Sequence, residues 1–425
     1  MITPHKWQEP AIAKQNLCLT TGEIAINASD TGTGKTICAG QSMKELKRDF
    51  LVIAPKAVHT NWRRTIDEMA ISNQLLDVIN AERLRFKNKW FINGNWCLPK
   101  GAQIVWDEIH RGSSGPRTET AKVLALTKAW HIPLLAMSAT IADSPVKLRG
   151  LGYLLDLHKF NTSSFNRWCL DNGCFRIPGR DELQFPKGPK AQALMAKIHK
   201  QIADRLVRLR IADIEGFPET QLCATLFDLE EKYTEQINEI YNEMKAELKK
   251  ECSDPMVARL RARQRTELLK VPLLVELALD AIAEDLAPVL FVNFRDTVEA
   301  LDSALKASGQ AFGIIIGEQK PTARQNFIDL FQANLLPGMI ATADAGGVGI
   351  NLHDIHHSRQ RVSYITPSDN SVAMKQCLGR IHRDGGTKSV QTFVLIAGTA
   401  EEKVYANVRN KLGNIDALNG EDLAI

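Results

Sequence analysis

Residues 24–36 read IAINASDTGTGKT, and this stretch decides the fold. Residues 24–28 form a short, nearly continuous apolar run, which is typical of a strand covered on both faces. A glycine-rich loop follows, and the residues after the loop have a helical pattern. A strand, a glycine-rich turn and a helix in this order predict one βα unit of a doubly wound parallel sheet.

Similar apolar runs recur along both halves of the chain, with helical stretches between them. Because the βα pattern occurs twice, the sequence predicts an α/β protein with two tandem doubly wound parallel-sheet lobes and helical insertions between them. The strand candidates are residues 24–28, 51–54, 103–106 and 133–137 in the first half, and residues 288–293, 312–316, 338–342, 362–366 and 391–396 in the second.

The middle of the chain has a different composition. Residues 155–285 are rich in Lys, Arg, Glu and Leu and poor in strand patterns. Apolar side chains between residues 233 and 248 recur at helical spacing, so we expect a helical region with a boundary near residues 216–218, where Gly and Pro interrupt the pattern. The predicted domains are residues 1–218, a first lobe with a helical extension, and residues 219–425, a helical bridge followed by the second lobe.

The overall composition is that of a soluble globular protein. A chain of 425 residues is longer than a single hydrophobic core usually stabilises, so two or three domains are expected. The residues are 44% hydrophobic and 24% charged, and no apolar run approaches the length that spans a bilayer. The first residues lack the apolar core of a signal peptide, so we expect a cytoplasmic location and no membrane partner. The net charge of +4 permits a nucleic-acid partner without requiring one.

The loop at residues 29–36, SDTGTGKT, has the composition of a phosphate-binding loop. Its glycines let the backbone approach phosphates closely, and its amides and the next helix N-terminus form a nest for anionic oxygens. Lys35 can reach the β- and γ-phosphates, and the Thr36 hydroxyl can ligate Mg²⁺. The loop therefore predicts ATP and Mg²⁺ as cofactors, with nucleotide contacts from Ser29, Asp30, Thr31, Gly32, Thr33, Gly34, Lys35 and Thr36.

Two acidic residues follow the apolar run at residues 103–106. Carboxylates at the C-terminal end of a strand face the crevice where open α/β sheets bind ligands. We expect Asp107 to hold Mg²⁺ and Glu108 to position and deprotonate the attacking water. Near the N-terminus, the Gln8 amide can both donate and accept, so it can read the adenine edge. The alternative for Gln8 is an exposed glutamine beside a packed tryptophan.

Two further strings lie in the second half. In QCLGRIHR, residues 376–383, Arg380 and Arg383 are three positions apart, so on a helix they project from one side together with Gln376. Such arginines supply permanent forked charge to phosphate oxygens as arginine fingers, and a solvated basic helix face is the alternative. In AGGVGINL, residues 345–352, several glycines stand beside Asn351. They suggest a backbone that approaches a phosphate or the nucleotide, at Gly349 and Asn351, or a plain turn.

In this order, the four strings resemble helicase superfamily two. More narrowly, the chain is similar to the Swi/Snf-type DNA translocase cores, as a compact bacterial or viral member. The resemblance extends from Gln8 to about Tyr405 and includes APK at 54–56 with NW at 61–62, SAT at 138–140, FVNFRD at 291–296 and GTAEE at 398–402. It implies two RecA-like lobes with ATP bound between them, a monomeric core and a sequence-tolerant contact with duplex DNA.

The resemblance also implies roles for single residues. It assigns coupling between the lobes to His110, Ser138, Ala139 and Thr140, and nucleic-acid contacts to Pro55, Lys56, Thr140, Phe294 and Thr342. We interpret Trp62 as an aromatic residue of the hydrophobic core. The SAT string is typical of strand-separating helicases, whereas GTAEE favours the Swi/Snf type. Three activities therefore stay open: translocation along duplex DNA, strand separation or branch migration, and a nucleotide-gated scaffold with little hydrolysis.

Overall fold

The computed structural model describes residues 2–86, 88–110, 119–177, 182–249, 254–346, 350–368, 370–407 and 409–410. The chain divides into two compact units: the first comprises the residues up to Glu215 together with Asn410, and the second comprises Gly216–Arg409. Each unit is built around its own six-stranded sheet.

The sheet of the first unit is parallel throughout, with the strand order β10-β1-β7-β6-β2-β3. Its strands are β1 (Ile24–Asn27), β2 (Phe50–Ile53), β3 (Leu75–Ile79), β6 (Gln103–Asp107), β7 (Leu134–Met137) and β10 (Leu206–Val207). Two small antiparallel hairpins pair β4 (Phe91–Ile92) with β5 (Asn95–Trp96) and β8 (Phe175–Arg176) with β9 (Leu183–Gln184).

Helices cover both faces of this sheet, as its burial requires. Strands β1, β2 and β7 are buried at every position, because helices pack on either side of them. Since the carboxyl ends of parallel strands share one edge, the loops after β1, β2, β6 and β7 meet there. The helices are α1 (Glu9–Thr21), α2 (Lys35–Leu46), α3 (His59–Glu68), α4 (Glu119–Ala129), α5 (Arg149–Leu154), α6 (Thr162–Asp171) and α7 (Pro189–Ile202).

The second unit has a parallel sheet with the order β11-β16-β15-β12-β14-β13. Its strands are β11 (Thr220–Phe227), β12 (Ala287–Val292), β13 (Gly313–Ile315), β14 (Met339–Thr342), β15 (Arg361–Ile365) and β16 (Ser389–Ile396). Its helices are α8 (Glu231–Glu247), α9 (Pro255–Leu269), α10 (Val271–Ala283), α11 (Arg295–Ala307), α12 (Pro321–Gln332), α13 (Ala343–Gly346) and α14 (Ser371–Leu378). Among the described helices of either unit, none has the length and apolar character needed to cross a bilayer.

All nine predicted strands are present, and the prediction of two doubly wound parallel sheets is confirmed. The amphipathic helix expected near residues 233–248 is α8. The wholly helical interpretation of residues 155–285 is wrong, because this region also contains β8, β9, β10 and β11. Strand β11 is an edge strand with an exposed face, and polar residues interrupt its sequence TQLCATLF, so it lacks the long apolar run of a strand buried on both faces.

Candidate functional site

The loop between β1 and α2 has the backbone of an anion-binding nest. Gly32 and Gly34 have φ angles of 89° and 73°, a left-handed conformation that glycine adopts without strain. A Cβ at Gly34 would also lie 2.5 Å from Nε2 of Gln8, so a side chain at this position would have to displace the Gln8 amide. Helix α2 begins directly at Lys35, and its first backbone amides therefore point into the loop, where they can bind phosphate oxygens.

Internal contacts hold this loop in place. The Nζ atom of Lys35 donates to the backbone carbonyls of Ser29 and Asp30, at 2.8 and 2.9 Å. The Asp30 carboxylate accepts from Nη2 of Arg208 at 3.1 Å and from the amide of Ile211 at 3.0 Å. The Asp30 side chain thus anchors the loop to the segment after β10, and the contact of Asp30 with a nucleotide stays a prediction.

Gln8 lies beneath the loop and is buried, so the alternative of an exposed glutamine is wrong. Its Nε2 donates to the carbonyl of Thr33 at 2.9 Å, and its Oε1 accepts from the amide of His5 at 2.8 Å. An amide group has two hydrogens and two lone pairs, so each side retains capacity for a further partner. Gln8 therefore supports the phosphate loop, and its contact with adenine stays a prediction.

Asp107 is the last residue of β6 and shares an environment with Lys35. Burial and the neighbouring charge of Glu108 raise the pKa of Asp107 to about 6. A hydrogen bond from Nε1 of Trp62, at 2.9 Å, and the positive charge of Lys35 oppose this rise. The sequence assigned Trp62 to the core alone. The ring is buried as expected, but its indole N–H holds one of the two candidate catalytic carboxylates.

A connected series of side chains leads away from Glu108. The Glu108 backbone has a φ of 50°, a left-handed conformation that is rare for a non-glycine residue and common at functional sites. Oε2 of Glu108 lies 3.3 Å from Nδ1 of His110, and the same Nδ1 lies 2.8 Å from Oγ of Ser138. Oγ of Ser138 accepts from the backbone amide of Thr140 at 3.1 Å. The predicted coupling residues, with Ala139 buried among them, therefore form one network at the ends of β6 and β7.

In the second unit, the two candidate arginine fingers approach one carbonyl. Nη1 of Arg380 and Nη2 of Arg383 donate to the backbone oxygen of Ile350, at 3.2 and 3.3 Å. Helix α14 ends at Leu378, so the expectation that both arginines project from one helix face with Gln376 is wrong. The loop after the helix brings the arginines together, whereas Gln376 stays buried within the helix.

The glycine-rich string is partly described. Gly349 lies outside the described residues, and the backbone oxygen of Asn351 accepts from Nε2 of Gln332 at 2.8 Å. The amide of Leu352 donates to the carbonyl of Arg380 at 2.9 Å. Hydrogen bonds therefore join the segment that begins at residue 350 to the loop that carries Arg380 and Arg383.

The predicted nucleic-acid residues lie at strand ends. Pro55 and Lys56 follow β2, and Lys56 is exposed at a cavity of about 310 Å³. This cavity is also lined by His59, Arg63, Asp77, Val78, Ile79, Asn80 and Arg83. In the second unit, Thr342 ends β14 and Phe294 precedes α11, and both are half-buried. Thr140 is fully buried, so its side chain does not reach the surface of this structure.

The fold and the site define the class: a phosphate-loop ATPase built from two RecA-like units. Comparison with known proteins is more specific. Residues 269–385 match the family described as the helicase conserved C-terminal domain. A protein from Acanthamoeba polyphaga mimivirus, which carries the name ATP-dependent RNA helicase, is 30% identical over 441 residues, covering 94% of this chain and 80% of that protein.

Other relatives match in part. The DNA repair and recombination protein RAD54B of Mus musculus is 30% identical over 151 residues, covering 34% of this chain and 16% of that protein. The structure of Saccharomyces cerevisiae Dbp5 bound to RNA and ADP BeF3 aligns with a TM-score of 0.55 and 14% identity, covering 97% of this chain and 88% of that one. That structural likeness supports the fold.

The chain belongs to the ATP-dependent helicases of superfamily two, with Swi/Snf-type proteins among its relatives. It is therefore a nucleic-acid-dependent ATPase.

Proposed function

We propose that this protein is a translocase that uses ATP hydrolysis to move along duplex DNA. The observation that carries this proposal is the network from Glu108 through His110 to Ser138 and Thr140. It connects the candidate catalytic base to the segment around Thr140, where the family resemblance predicts a contact with nucleic acid. A change at Glu108 during turnover can thereby alter the position of Thr140, which is the physical requirement for coupling hydrolysis to movement.

Residues of the phosphate loop, the acidic pair and the two arginines of the second unit each have a proposed role in hydrolysis. Gly32, Gly34 and the amides at the start of α2 bind the phosphates, and Lys35 moves from its carbonyl partners to a phosphate oxygen. Glu108 orients the attacking water and accepts its proton. Arg380 and Arg383 stabilise the charge that develops on the transferred phosphoryl group, with a rate contribution of about 10³–10⁵ for one finger.

The oxygen donors near the loop fit Mg²⁺. The Thr36 hydroxyl at the start of α2 and the Asp107 carboxylate are hard oxygen ligands, which this ion prefers, and the charge of Lys35, the residue before Thr36, acts on the pKa of Asp107. Bound Mg²⁺ would neutralise phosphate charge. The raised pKa of Asp107, about 6, still leaves its carboxylate deprotonated at neutral pH and able to act as a ligand.

The nucleic-acid contacts that we propose are contacts with phosphates. Lys56 borders a cavity that also presents Arg63 and Arg83, whereas its single carboxylate, Asp77, is bonded to Arg63 at 2.9 Å. A cavity with this charge suits a phosphate backbone without reading bases. Binding should tolerate any sequence, and log affinity should fall by about 0.9 per contacted phosphate for each log unit of salt.

A second candidate is strand separation on RNA. The SAT string at residues 138–140 is typical of strand-separating helicases, and the mimivirus relative carries the name RNA helicase. The DNA proposal is supported instead by the AGGVGINL and GTAEE strings and by the name of the mouse relative.

The deciding experiment measures ATP turnover with duplex DNA, single-stranded DNA, forked DNA, duplex RNA and single-stranded RNA of matched sequence, together with strand displacement on the forks. We expect duplex DNA to give the largest stimulation and blunt duplexes to remain paired. A larger stimulation by RNA with strand displacement would favour the second candidate. Equal turnover with and without every nucleic acid would reject both and favour the nucleotide-gated scaffold.

A further inference from the structure

A buried carboxylate in the second unit is not used by the mechanism above. Glu267 lies near the end of α9 and is only 4% exposed. Its Oε1 accepts hydrogen bonds from the backbone amides of Asn293 and Phe294, at 2.9 and 3.1 Å. These amides belong to Phe294, the N-cap residue of α11, and to the residue before it, so the carboxylate fixes the segment that leads from β12 into that helix.

The same carboxylate also contacts a neighbouring strand. Its Oε2 accepts from Nδ2 of Asn293 at 2.6 Å and from the hydroxyl of Thr366 at 2.5 Å. Thr366 follows β15, which pairs with β12 in the sheet. Nδ2 of Asn293 also donates to the Thr366 hydroxyl at 3.0 Å. Glu267 therefore fixes the carboxyl ends of two adjacent strands to each other and to α9.

The position of the Glu267 contact in the fold indicates its role. In the first unit, the amides between β1 and α2 form the candidate phosphate site. In the second unit, the amides of Asn293 and Phe294 lie at the corresponding place between β12 and α11, and they bind a side chain of the protein itself. The residue that it positions is Phe294, which caps α11 and is half-buried at the strand edge.

We propose that Glu267 is a positioning residue for nucleic-acid binding, which it serves by fixing the backbone of Phe294. This inference rests on the proposed function and on the contact of Phe294 with nucleic acid that the family resemblance predicts. A second contact from the same helix supports it, because Nη2 of Arg263, one turn before Glu267, donates to the carbonyl of Pro367 at 3.2 Å. Arg263, Glu267, Phe294 and Pro367 line one small cavity. Helix α9 thus holds the strand edge at two points.

The test is Glu267→Gln in the full chain. The side chain keeps its size, but an amide nitrogen cannot accept the hydrogen bond from Asn293, so buried donors lose their partner. We expect amide hydrogen exchange at residues 293–294 to accelerate about tenfold and the nucleic-acid concentration for half-maximal ATP turnover to rise about tenfold. The KM for ATP should change less than about twofold, because the contact lies outside the phosphate loop.

The matched control is Glu243→Gln. Glu243 lies on α8 and pairs with Arg265 of α9 at 2.5 Å, but both side chains are more than half exposed, so neither readout should change. Thr366→Val is a second variant that removes one donor to the same carboxylate. It should shift both readouts in the same direction by a smaller factor, and it keeps the test decisive where Glu267→Gln does not fold.

A double variant separates positioning from general loosening of the fold. If Glu267 acts through Phe294, Glu267→Gln combined with Phe294→Ala should bind nucleic acid no more weakly than Phe294→Ala alone. Additive losses, or unchanged exchange at residues 293–294, would overturn the proposal. Failure of the proposed function gives a different result: no nucleic acid stimulates turnover in the unmodified protein, while the exchange measurement still decides whether Glu267 fixes this backbone.

Discussion

The indole nitrogen of Trp62 donates a 2.9 Å hydrogen bond to Oδ2 of Asp107. Burial and the charge of Glu108 raise the pKa of Asp107 to about 6, and the Trp62 bond acts against this rise. Because a hydrogen bond to the charged form favours ionisation, a buried aromatic ring helps to keep the candidate Mg²⁺ ligand deprotonated at neutral pH.

Trp62→Phe tests this relationship, because it keeps an aromatic ring in the core and removes only the donor. A hydrogen bond to a charged group contributes about 1.5–3 kcal/mol, so the pKa of Asp107 should rise further. The acidic limb of nucleic-acid-stimulated kcat should therefore move to higher pH in a profile measured between about pH 5 and 9. Trp90→Phe is the control, since Nε1 of Trp90 donates to Asp77 at 3.3 Å. An acidic limb that stays in place in Trp62→Phe contradicts the assignment.

Glu108→Gln should stop turnover at the hydrolysis step. The amide cannot accept a proton from water, whereas the phosphate loop and the cavity beside Lys56 are left intact. We expect kcat to fall by about 10²–10⁴, with ATP retained on the protein in a filter-retention measurement and nucleic-acid binding preserved. Turnover equal to that of the unmodified protein would reject Glu108 as the base.

The ionised carboxylates of Asp107 and Asp77 should have opposite effects on the free energy of unfolding of the first unit at pH 7. The pKa of Asp107 is raised from 3.8 to about 6, so the folded protein binds more protons than the unfolded chain in this window, and stability falls as pH rises through it. At pH 7 the charged carboxylate is therefore destabilising. Asp107→Asn should raise the free energy of unfolding of the first unit by up to about 3 kcal/mol while abolishing ATP turnover.

For Asp77 the sign is reversed. Burial opposes ionisation there, but hydrogen bonds from Arg63 and Trp90 outweigh it and lower the pKa. Asp77→Asn should therefore destabilise the first unit at pH 7, and the difference should disappear as pH falls through the pKa of Asp77. Urea unfolding of both variants at neutral and acidic pH measures the two signs. Shifts of the same sign at pH 7 would show that the charges do not control these effects.

The sequence predicted the features that are local in the chain. The phosphate loop, the acidic pair and nine strands each depend on neighbouring residues, so their patterns could be recognised. The contacts that set the chemistry of the site join distant residues: Trp62 and Asp107 are 45 positions apart, and Asp30 and Arg208 are 178 apart. No local pattern specifies such pairs, because tertiary packing creates them. The end of α14 before Arg380 was missed because Gly379 ended the helix at a position where spacing alone suggested continuation.

Arg380 and Arg383 should differ in their roles although both contact Ile350. Arg380 is only 3% exposed, whereas Arg383 is half-buried. We expect Arg383→Ala to lower kcat by about 10³-fold or more with little change in thermal stability. Arg380→Lys should lower kcat as well, and it should in addition destabilise the second unit by about 1–3 kcal/mol, because the lysine cannot reproduce the buried guanidinium contact. Rapid-quench turnover and thermal unfolding separate the two effects, and identical behaviour of both variants would contradict the division.

The ion pair between Asp30 and Arg208 should control the affinity for ATP. Their side chains are 15% and 7% exposed and 3.1 Å apart, so removing one partner leaves a buried charge poorly compensated. Breaking a buried pair costs about 3–5 kcal/mol, and the loosened loop should bind ATP more weakly in a fluorescent-nucleotide titration.

Arg210→Met is the matched control for Arg208→Met, because the pair of Arg210 with Asp213 is largely exposed and contributes at most about 1 kcal/mol. The double variant Asp30→Asn with Arg208→Met should lose less affinity than the sum of the single losses, by about 0.5–3 kcal/mol. Strictly additive losses would show that the two residues act on the phosphate loop independently, and the anchoring role of Asp30 would then be wrong.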